Sequence, residues 1–319
     1  MKKILITGAL GQIGSELTSY MRDIYGINNV IASGRRTPKG SKVVEDGIFE
    51  LINTDDVNQI INVVKKHKVD TIIHLAAILS AVGEANPIKA WEVNVGSLLS
   101  VLEIARTYDC SVFTPSSIAV FGDYSQKFKT PQDEVQKPAT MYGITKSSGE
   151  LLCDYYFKRF GVDTRGIRFP GLISYETLPG GGTTDYAVHI YYEALKNKKY
   201  TSFIKEGTYM DMMYMPDALN AIVEVMETDP GKLIHRNAFN VTSMSFAPEH
   251  IAQEIKKHIP EFEITYDIDP IRQAIAESWP DFLDDTAARE EWGWNPKYDL
   301  KSMTKDMLAK LKEKIKAIN

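Results

Sequence analysis

A chain of 319 residues, 44% hydrophobic and 25% charged, has the size for two lobes or one large domain and the composition of an ordinary globular protein. Its net charge of −5 comes without a basic stripe, which excludes nucleic acid as the main partner, because phosphate neutralisation takes clustered Lys and Arg. No apolar run is long enough for a membrane, Thr7-Gly8 cuts off the Met1-Lys2-Lys3 start before it becomes a signal, and Cys110 and Cys153 are too few for a disulfide framework or a thiolate-rich zinc site. The expectation is a cytoplasmic protein without a metal.

Lys3 to Thr7 reads as a buried first strand. Gly8, Gly11 and Gly14 follow at once: Gly8 suits a tight turn, Gly11 lets backbone approach a pyrophosphate, and Gly14 lets the next helix pack closely, out to about Tyr25. With a second strand over 29–33 this is the context of a dinucleotide site, with Gln12 and Ile13 as further candidate contacts. A glycine-rich turn without a ligand is the alternative. The second strand runs into Ser33-Gly34-Arg35-Arg36, where dinucleotide sites usually carry an acid for the adenosine ribose. Gly34 and Arg35 are candidate cofactor contacts in its place. A third strand over 48–52 precedes Asn53-Thr54-Asp55-Asp56 and an amphipathic helix through Lys66; Asn53 and Thr54 either flank an adenine or cap that helix.

The fourth strand, Thr71 to Ala77, leaves through Leu75, Ala76 and Ala77, small enough at its end for a cofactor to lie on the backbone, while His74 reads as a satisfied core histidine. A helix over 91–108 leads to a strand over 110–117 ending in Pro115-Ser116-Ser117, and serines at the carboxyl end of a parallel strand face the ligand crevice. Tyr142 opens a helix 25 residues after Ser117, with Lys146 one turn on, so both reach one reacting atom. A phenol titrates near ~10, and a nearby cation favours phenolate. Lowering it by roughly three units takes about 4 kcal/mol, the joint work of an ammonium and a cationic nicotinamide. Tyr192 and Lys196 share the spacing but have no upstream serine strand. Gly180 to Asp185 is a glycine run ahead of a helix over 186–195; its N–H groups and Thr183 or Thr184 suit a small carboxylate, or simply cap the helix.

Thr7-Gly8-x-x-Gly11-x-x-Gly14, Ser116-Ser117 with Val120-Phe121-Gly122, and Tyr142-x-x-x-Lys146 resemble, in order and spacing, the extended short-chain dehydrogenase/reductase superfamily, which includes the sugar-nucleotide 4-epimerases. The resemblance covers nearly the whole chain. Arg168 to Ser174, Pro179 to Ala187, Met212 to Met215, Ser278-Trp279-Pro280 and Trp292-Gly293-Trp294 look like its short-chain L-threonine 3-dehydrogenase branch. It implies an α/β fold with a Rossmann-like doubly wound parallel sheet over 1–175, rejoined by about 213–241, and a smaller C-terminal substrate lobe over 176–319. It further implies NAD-dependent oxidation of the threonine 3-hydroxyl to 2-amino-3-ketobutyrate in threonine catabolism. Tyr142 would be the base, Ser117 would bind the same oxygen, and Lys146 would tune the tyrosine and hold the nicotinamide ribose. Asn94, Phe169 and Leu172 join the candidate cofactor contacts. Ser80 and Trp279 join the candidate substrate contacts; Ser80 reads equally as a turn serine, and Trp279 more readily as a core tryptophan. NADP stays possible, because no acid ends the second strand. A homodimer through the helices near Trp91 and Tyr142 is expected, as in relatives. A sugar-nucleotide epimerase or dehydratase is the alternative, although Pro170 and Tyr209 to Met213 stand where epimerases commonly hold a diphosphate with asparagine and arginine. A nucleotide-sensing regulator would have no need of Ser117, Tyr142 and Lys146.

Overall fold

The computed structural model describes residues 1–177, 180 and 182–318; Pro179 and Gly181 of the glycine-rich motif lie outside the described residues. Ile4, Leu5 and Ile6 have no exposed surface, as befits an apolar run covered on both faces, each such side chain worth about 1.5–3 kcal/mol of burial. They form β1 (Ile4–Thr7), followed by β2 (Val30–Gly34), β3 (Phe49–Leu51), β4 (Thr71–His74), β5 (Ser111–Ser117), β6 (Phe128–Thr130) and β7 (Thr164–Phe169). The remaining strands are β8 (Gly171–Ile173), β9 (Lys199–Ser202), β10 (Met210–Tyr214), β11 (Phe239–Asn240), β12 (Met244–Phe246), β13 (Glu263–Tyr266) and β14 (Phe282–Leu283).

Seven strands form one sheet in the order β11-β7-β5-β4-β1-β2-β3, and every pairing in it is parallel. Alternation of side chains along each strand divides the core in two. Ile4, Ile6 and Phe113 pack on one face with Leu17 and Met21 of the first helix (Gln12–Tyr25) and Ala218 and Ile222 of the helix Met215–Glu227. Leu5, Ile72 and Val112 face Val63, Leu98, Val101 and Leu102 on the other. The fold is thus a Rossmann-like α/β sheet wound on both faces, and its strand order reverses between β4 and β1, where the carboxyl ends open a crevice.

A third core lies in the C-terminal half, where Tyr186, Tyr191, Met212, Tyr214, Phe246 and Met307 pack together. It stands beside a small sheet in which β10 is parallel to β8 and antiparallel to β12. Of the segment 213–241, the helix Met215–Glu227 and β11 return to the main sheet, whereas β10 pairs in the small one. Two shorter pairings, β13 with β9 and β14 with β6, tie down the connecting segments.

Some boundaries differ from the sequence reading. β2 runs one residue further, to Gly34, and β3 is confined to Phe49–Leu51. The single helix expected over 91–108 is three pieces: Pro87–Trp91, a wide π-turn Glu92–Gly96, and Ser97–Tyr108. The π-turn carries Asn94, whose amide is claimed by the backbone of Ile78, a long-range bond that helical periodicity does not register. Among the described residues, no helix is long and apolar enough to cross a membrane.

Candidate active site

The first wall of the crevice is the glycine turn. Gly8 has φ +71, and a Cβ there would come within 2.7 Å of the Ala76 backbone nitrogen, so only glycine lets β1 turn against the exit of β4. A Cβ at Gly14 would press into the Gly8 carbonyl, which makes Gly14 the point where helix and turn touch. Gly11 N–H donates to the Gly8 carbonyl at 3.0 Å and caps the first helix without a side chain. The first-turn N–H groups that follow have no intrahelical acceptor, no acid sits among them, and Gln12, Ile13 and Gly14 line the cleft. A pyrophosphate fits this cradle of bare backbone donors.

The floor comes from β5 and the helix Met141–Phe160. Thr140 caps that helix by accepting from Gly143 N–H at 3.1 Å, and Glu84 accepts from Met141 N–H at 2.6 Å. Gly143 lies so close to the Ala119 carbonyl that a Cβ would overlap it, so this glycine brings the start of the helix down onto the turn after Ser117. Ser117 Oγ accepts from Ala119 N–H at 3.2 Å. Ser117, Tyr142 and Lys146 all line the same cleft. Burial pushes the Tyr142 phenol up to about 12, opposed by its hydrogen bond with Ser117. Burial lowers Lys146 to about 8, opposed by the negative charge of Glu150. Lys146 Nζ donates to the Pro115 carbonyl at 2.7 Å rather than to the phenol. Beside the lysine, Tyr142 therefore stays a weak acid.

Behind this floor Glu150 accepts from Arg168 at 2.8 Å, from Gln136 at 2.5 Å and from Ser116, the neighbour of Ser117. Sequence reading passed over Glu150, although it lies one turn beyond Lys146. The far wall is Phe169, Pro170, Gly171 and Leu172, faced by Thr184, Asp185 and Trp279. A Cβ on Gly171 would come within 2.7 Å of Thr184 Cγ2, so the bare glycine seats Thr184 on this wall. Asp185 accepts from Gly182 N–H at 2.5 Å and closes the turn before the helix Tyr186–Asn197. Leu79, Ile118 and Pro170 also line the cleft, and no polar pattern in the sequence marked them.

Leu75 and Ala77 line the cleft, and Ala76 backs the Gly8 turn. Gly34 and Arg35 sit beyond it at the end of β2. Asn53 is exposed and Thr54 buried, and the helix Val57–His67 is capped by Asp56, which accepts from Asn58 N–H at 3.0 Å. Asn94 is buried; it accepts from Ile78 N–H at 2.7 Å and donates to the Ile78 carbonyl and Thr145 Oγ1 at 3.0 Å each, bolting the loop after β4 to the Tyr142 helix. Ser80 opens the short helix Ser80–Ala85 beside Leu79. Thr183 is buried, so of the two threonines Thr184 is the one on the cleft. Trp279 both lines the cleft and packs on Ile118, Val120, Phe121 and Leu283. His74 bonds Thr7 Oγ1 at 2.8 Å and Ser97 Oγ at 3.0 Å, and burial holds it down at about 3, a neutral core histidine. Among the described residues, no three His, Cys, Asp or Glu side chains gather where they could hold a metal.

Comparison with known proteins agrees with this architecture. The model of the NAD dependent epimerase/dehydratase family matches residues 4–242. An uncharacterized epimerase/dehydratase of Staphylococcus aureus (strain USA300) is 55% identical over 314 residues, 98% of each chain. The crystal structure of L-threonine dehydrogenase from Clostridium difficile superposes with a TM-score of 0.97 at 64% identity, covering 98% of both chains. A GalE-like L-threonine dehydrogenase from Cupriavidus necator, in its holo form, does so with a TM-score of 0.93 at 47% identity, covering 97% of this chain and 99% of that one. With its glycine cradle, its reversed strand order and a family match running from β1 to just past β11, this chain belongs to the NAD dependent epimerase/dehydratase family, enzymes built to use a nicotinamide cofactor.

Proposed function

We propose that this chain is an L-threonine 3-dehydrogenase that oxidises the threonine 3-hydroxyl to 2-amino-3-ketobutyrate in threonine catabolism. The observation that carries the reading is the meeting of Ser117, Tyr142 and Lys146 in a cleft whose opposite wall is Pro170, Gly171 and Thr184. That wall offers a hydroxyl and backbone donors, enough for an amino-acid carboxylate. A sugar diphosphate would ask for cationic or amide groups there, and β10, Met210–Tyr214, supplies none of them.

In this reading Gln12, Ile13 and Gly14 hold the cofactor's pyrophosphate by their N–H groups, and Leu75, Ala77, Phe169 and Leu172 shape the slot for its nicotinamide end. NAD, when bound, supplies the hydride acceptor and a cationic ring. Tyr142 as phenolate takes the proton from the 3-hydroxyl, and Ser117 donates to the same oxygen. Lys146 keeps positive charge beside the phenol and reaches the nicotinamide ribose. Thr184 Oγ1 meets the substrate carboxylate, and Trp279 covers it. Residues 1–175 with 213–241 act as the cofactor part, and 176–319 mainly as the substrate lobe. The exposed apolar side chains of Leu99, Ile144, Leu151 and Tyr155, on the helices Ser97–Tyr108 and Met141–Phe160, form the face of a homodimer, in the cytoplasm.

The test is a substrate screen with purified protein and NAD, followed by the absorbance of reduced nicotinamide. Reduction on adding L-threonine is expected. A cofactor signal only with a UDP- or dTDP-sugar would reverse the assignment to an epimerase or dehydratase.

A further inference from the structure

The two long walls of the cleft belong to different parts of the fold. The near wall, Gly11 to Gly14, opens the helix Gln12–Tyr25, which packs on the main sheet; the far wall, Gly171 and Leu172, is β8, which pairs with β10 in the small one. A cofactor on one wall and an amino acid on the other react only if the walls keep their distance. A buried polar tie joins them. Glu16 stands one helical turn beyond Gln12, and Ser174 lies two residues beyond Leu172; Ser174 has no exposed surface, and its Oγ donates to Glu16 Oε1 at 2.5 Å. The same hydroxyl accepts from Glu176 N–H at 3.0 Å and so shapes the turn after β8. Ser15 Oγ and Thr177 Oγ1 meet beside it at 3.4 Å, and Lys314 of the last helix (Leu300–Ile318) donates to the Tyr175 and Glu176 carbonyls at 3.0 and 2.5 Å. Burial raises the Glu16 carboxyl to about 7, a desolvation cost that an apolar side chain in this place would not carry.

We propose that Glu16 is a positioning residue that couples the cofactor wall to the substrate wall, so that a dinucleotide on the first helix and an amino acid at Thr184 strengthen each other's binding. The proposal rests on the dehydrogenase reading of the cleft. A ligand that fixes the first turn of the helix also fixes Glu16, one turn on; through Ser174 this fixes the end of β8, whose first residue, Gly171, seats Thr184. Such coupling is reciprocal, so the amino acid tightens the dinucleotide by the factor by which the dinucleotide tightens the amino acid. The worth of one hydrogen bond sets that factor at roughly three- to tenfold.

Calorimetric titration of the full chain with NAD, alone and in the presence of L-2-aminobutyrate, reads this without turnover, because that amino acid lacks the hydroxyl to be oxidised. In the unaltered protein it should tighten NAD by about three- to tenfold. Glu16→Leu should bring that factor close to one and raise KM for threonine by a like amount, while the affinity for NAD alone holds. A merely structural role would lower kcat or the melting temperature and leave the factor intact. Glu16→Gln, which keeps an oxygen acceptor for Ser174, should keep the coupling. Ser174→Ala should repeat the loss seen in Glu16→Leu and add nothing to it in the double variant. A factor that survives both Glu16→Leu and Ser174→Ala, or that is missing from unaltered protein able to oxidise threonine, overturns the coupling. Failure of the unaltered protein to reduce NAD with threonine would instead overturn the dehydrogenase reading beneath it.

Discussion

Lys146 Nζ lies 5.6 Å from the centre of the Tyr142 ring and spends a hydrogen bond on the Pro115 carbonyl. In the proposed mechanism the ammonium therefore serves the phenol as a nearby charge, not as a proton partner. Its geometric double, Lys196 at 5.8 Å from the Tyr192 ring, is absent from the residues that line the cleft. Tyr142→Phe is expected to lower turnover by on the order of 10²–10⁴ while leaving the cofactor dissociation constant nearly unchanged. Tyr192→Phe should leave turnover within about twofold, since Tyr192 has no part in acid–base catalysis. Steady-state kinetics beside cofactor titration of both variants checks this, and near-normal turnover in Tyr142→Phe would move the base elsewhere.

The same pair sets the pH dependence. Burial lifts Tyr142 to about 12, and Lys146, lowered to about 8, is cationic below that pH and loses its charge above it. With the cationic nicotinamide bound at saturating NAD, the phenol is brought down to where Lys146 still carries its charge, and activity should rise with pH below about 8 as the phenol ionises. Removing the cation in Lys146→Ala should carry that rise about one unit or more further towards alkali. The pH profile of kcat/KM for threonine reads the shift directly, and superimposable profiles would show that Lys146 does not tune the tyrosine.

Gly143 is required by contact rather than by backbone angle, because a Cβ there would meet the Ala119 carbonyl. Gly143→Ala must lift the start of the Tyr142 helix away from Ser117. A displacement of about 1 Å at a reacting group costs on the order of 10² in rate. Turnover should fall by about that factor in folded protein, verified by circular dichroism, and an active Gly143→Ala variant would contradict the positioning role.

Glu16, on the first helix, accepts from Ser174 Oγ at 2.5 Å, and burial pushes its carboxyl from the ordinary 4.5 up to about 7. A carboxyl raised in the fold is neutral there while already ionised in the unfolded chain. Its cost to stability is absent below about pH 4.5, grows towards pH 7, and is complete above it. Glu16→Gln should therefore be the more stable protein near pH 8, by up to roughly 3 kcal/mol, and no more stable near pH 4. Denaturant melts at the two pH values decide it; a pH-independent difference would mean that Glu16 is ionised in the fold.

Sequence carried the parts of this molecule whose signals are local. The apolar run Ile4 to Ile6 between polar neighbours, the glycines that follow it, and the strand-end serine ahead of Tyr142 and Lys146 each bring their reason in a few residues, and the main sheet follows from their order. What escaped depends on contacts between distant segments. Asn94 is engaged by Ile78 through a π-turn, and Leu10 fills the corner beside Gly34. Glu150 gathers Arg168, Gln136 and Ser116 from three other segments. β10 joins β8 and β12 instead of the main sheet because its partners come later or after a proline, a choice that five apolar and acidic residues do not encode by themselves.

Hydride transfer from carbon 3 of threonine is the claim on which the roles of Ser117, Tyr142, Lys146 and Thr184 all depend. L-threonine carrying deuterium at carbon 3, incubated with the protein and NAD, tests it in one mass spectrum. The expected result is deuterium in the reduced nicotinamide together with a 2-amino-3-ketobutyrate or aminoacetone product. Unlabelled cofactor and intact threonine, beside interconversion of a UDP-sugar by the same preparation, would contradict it.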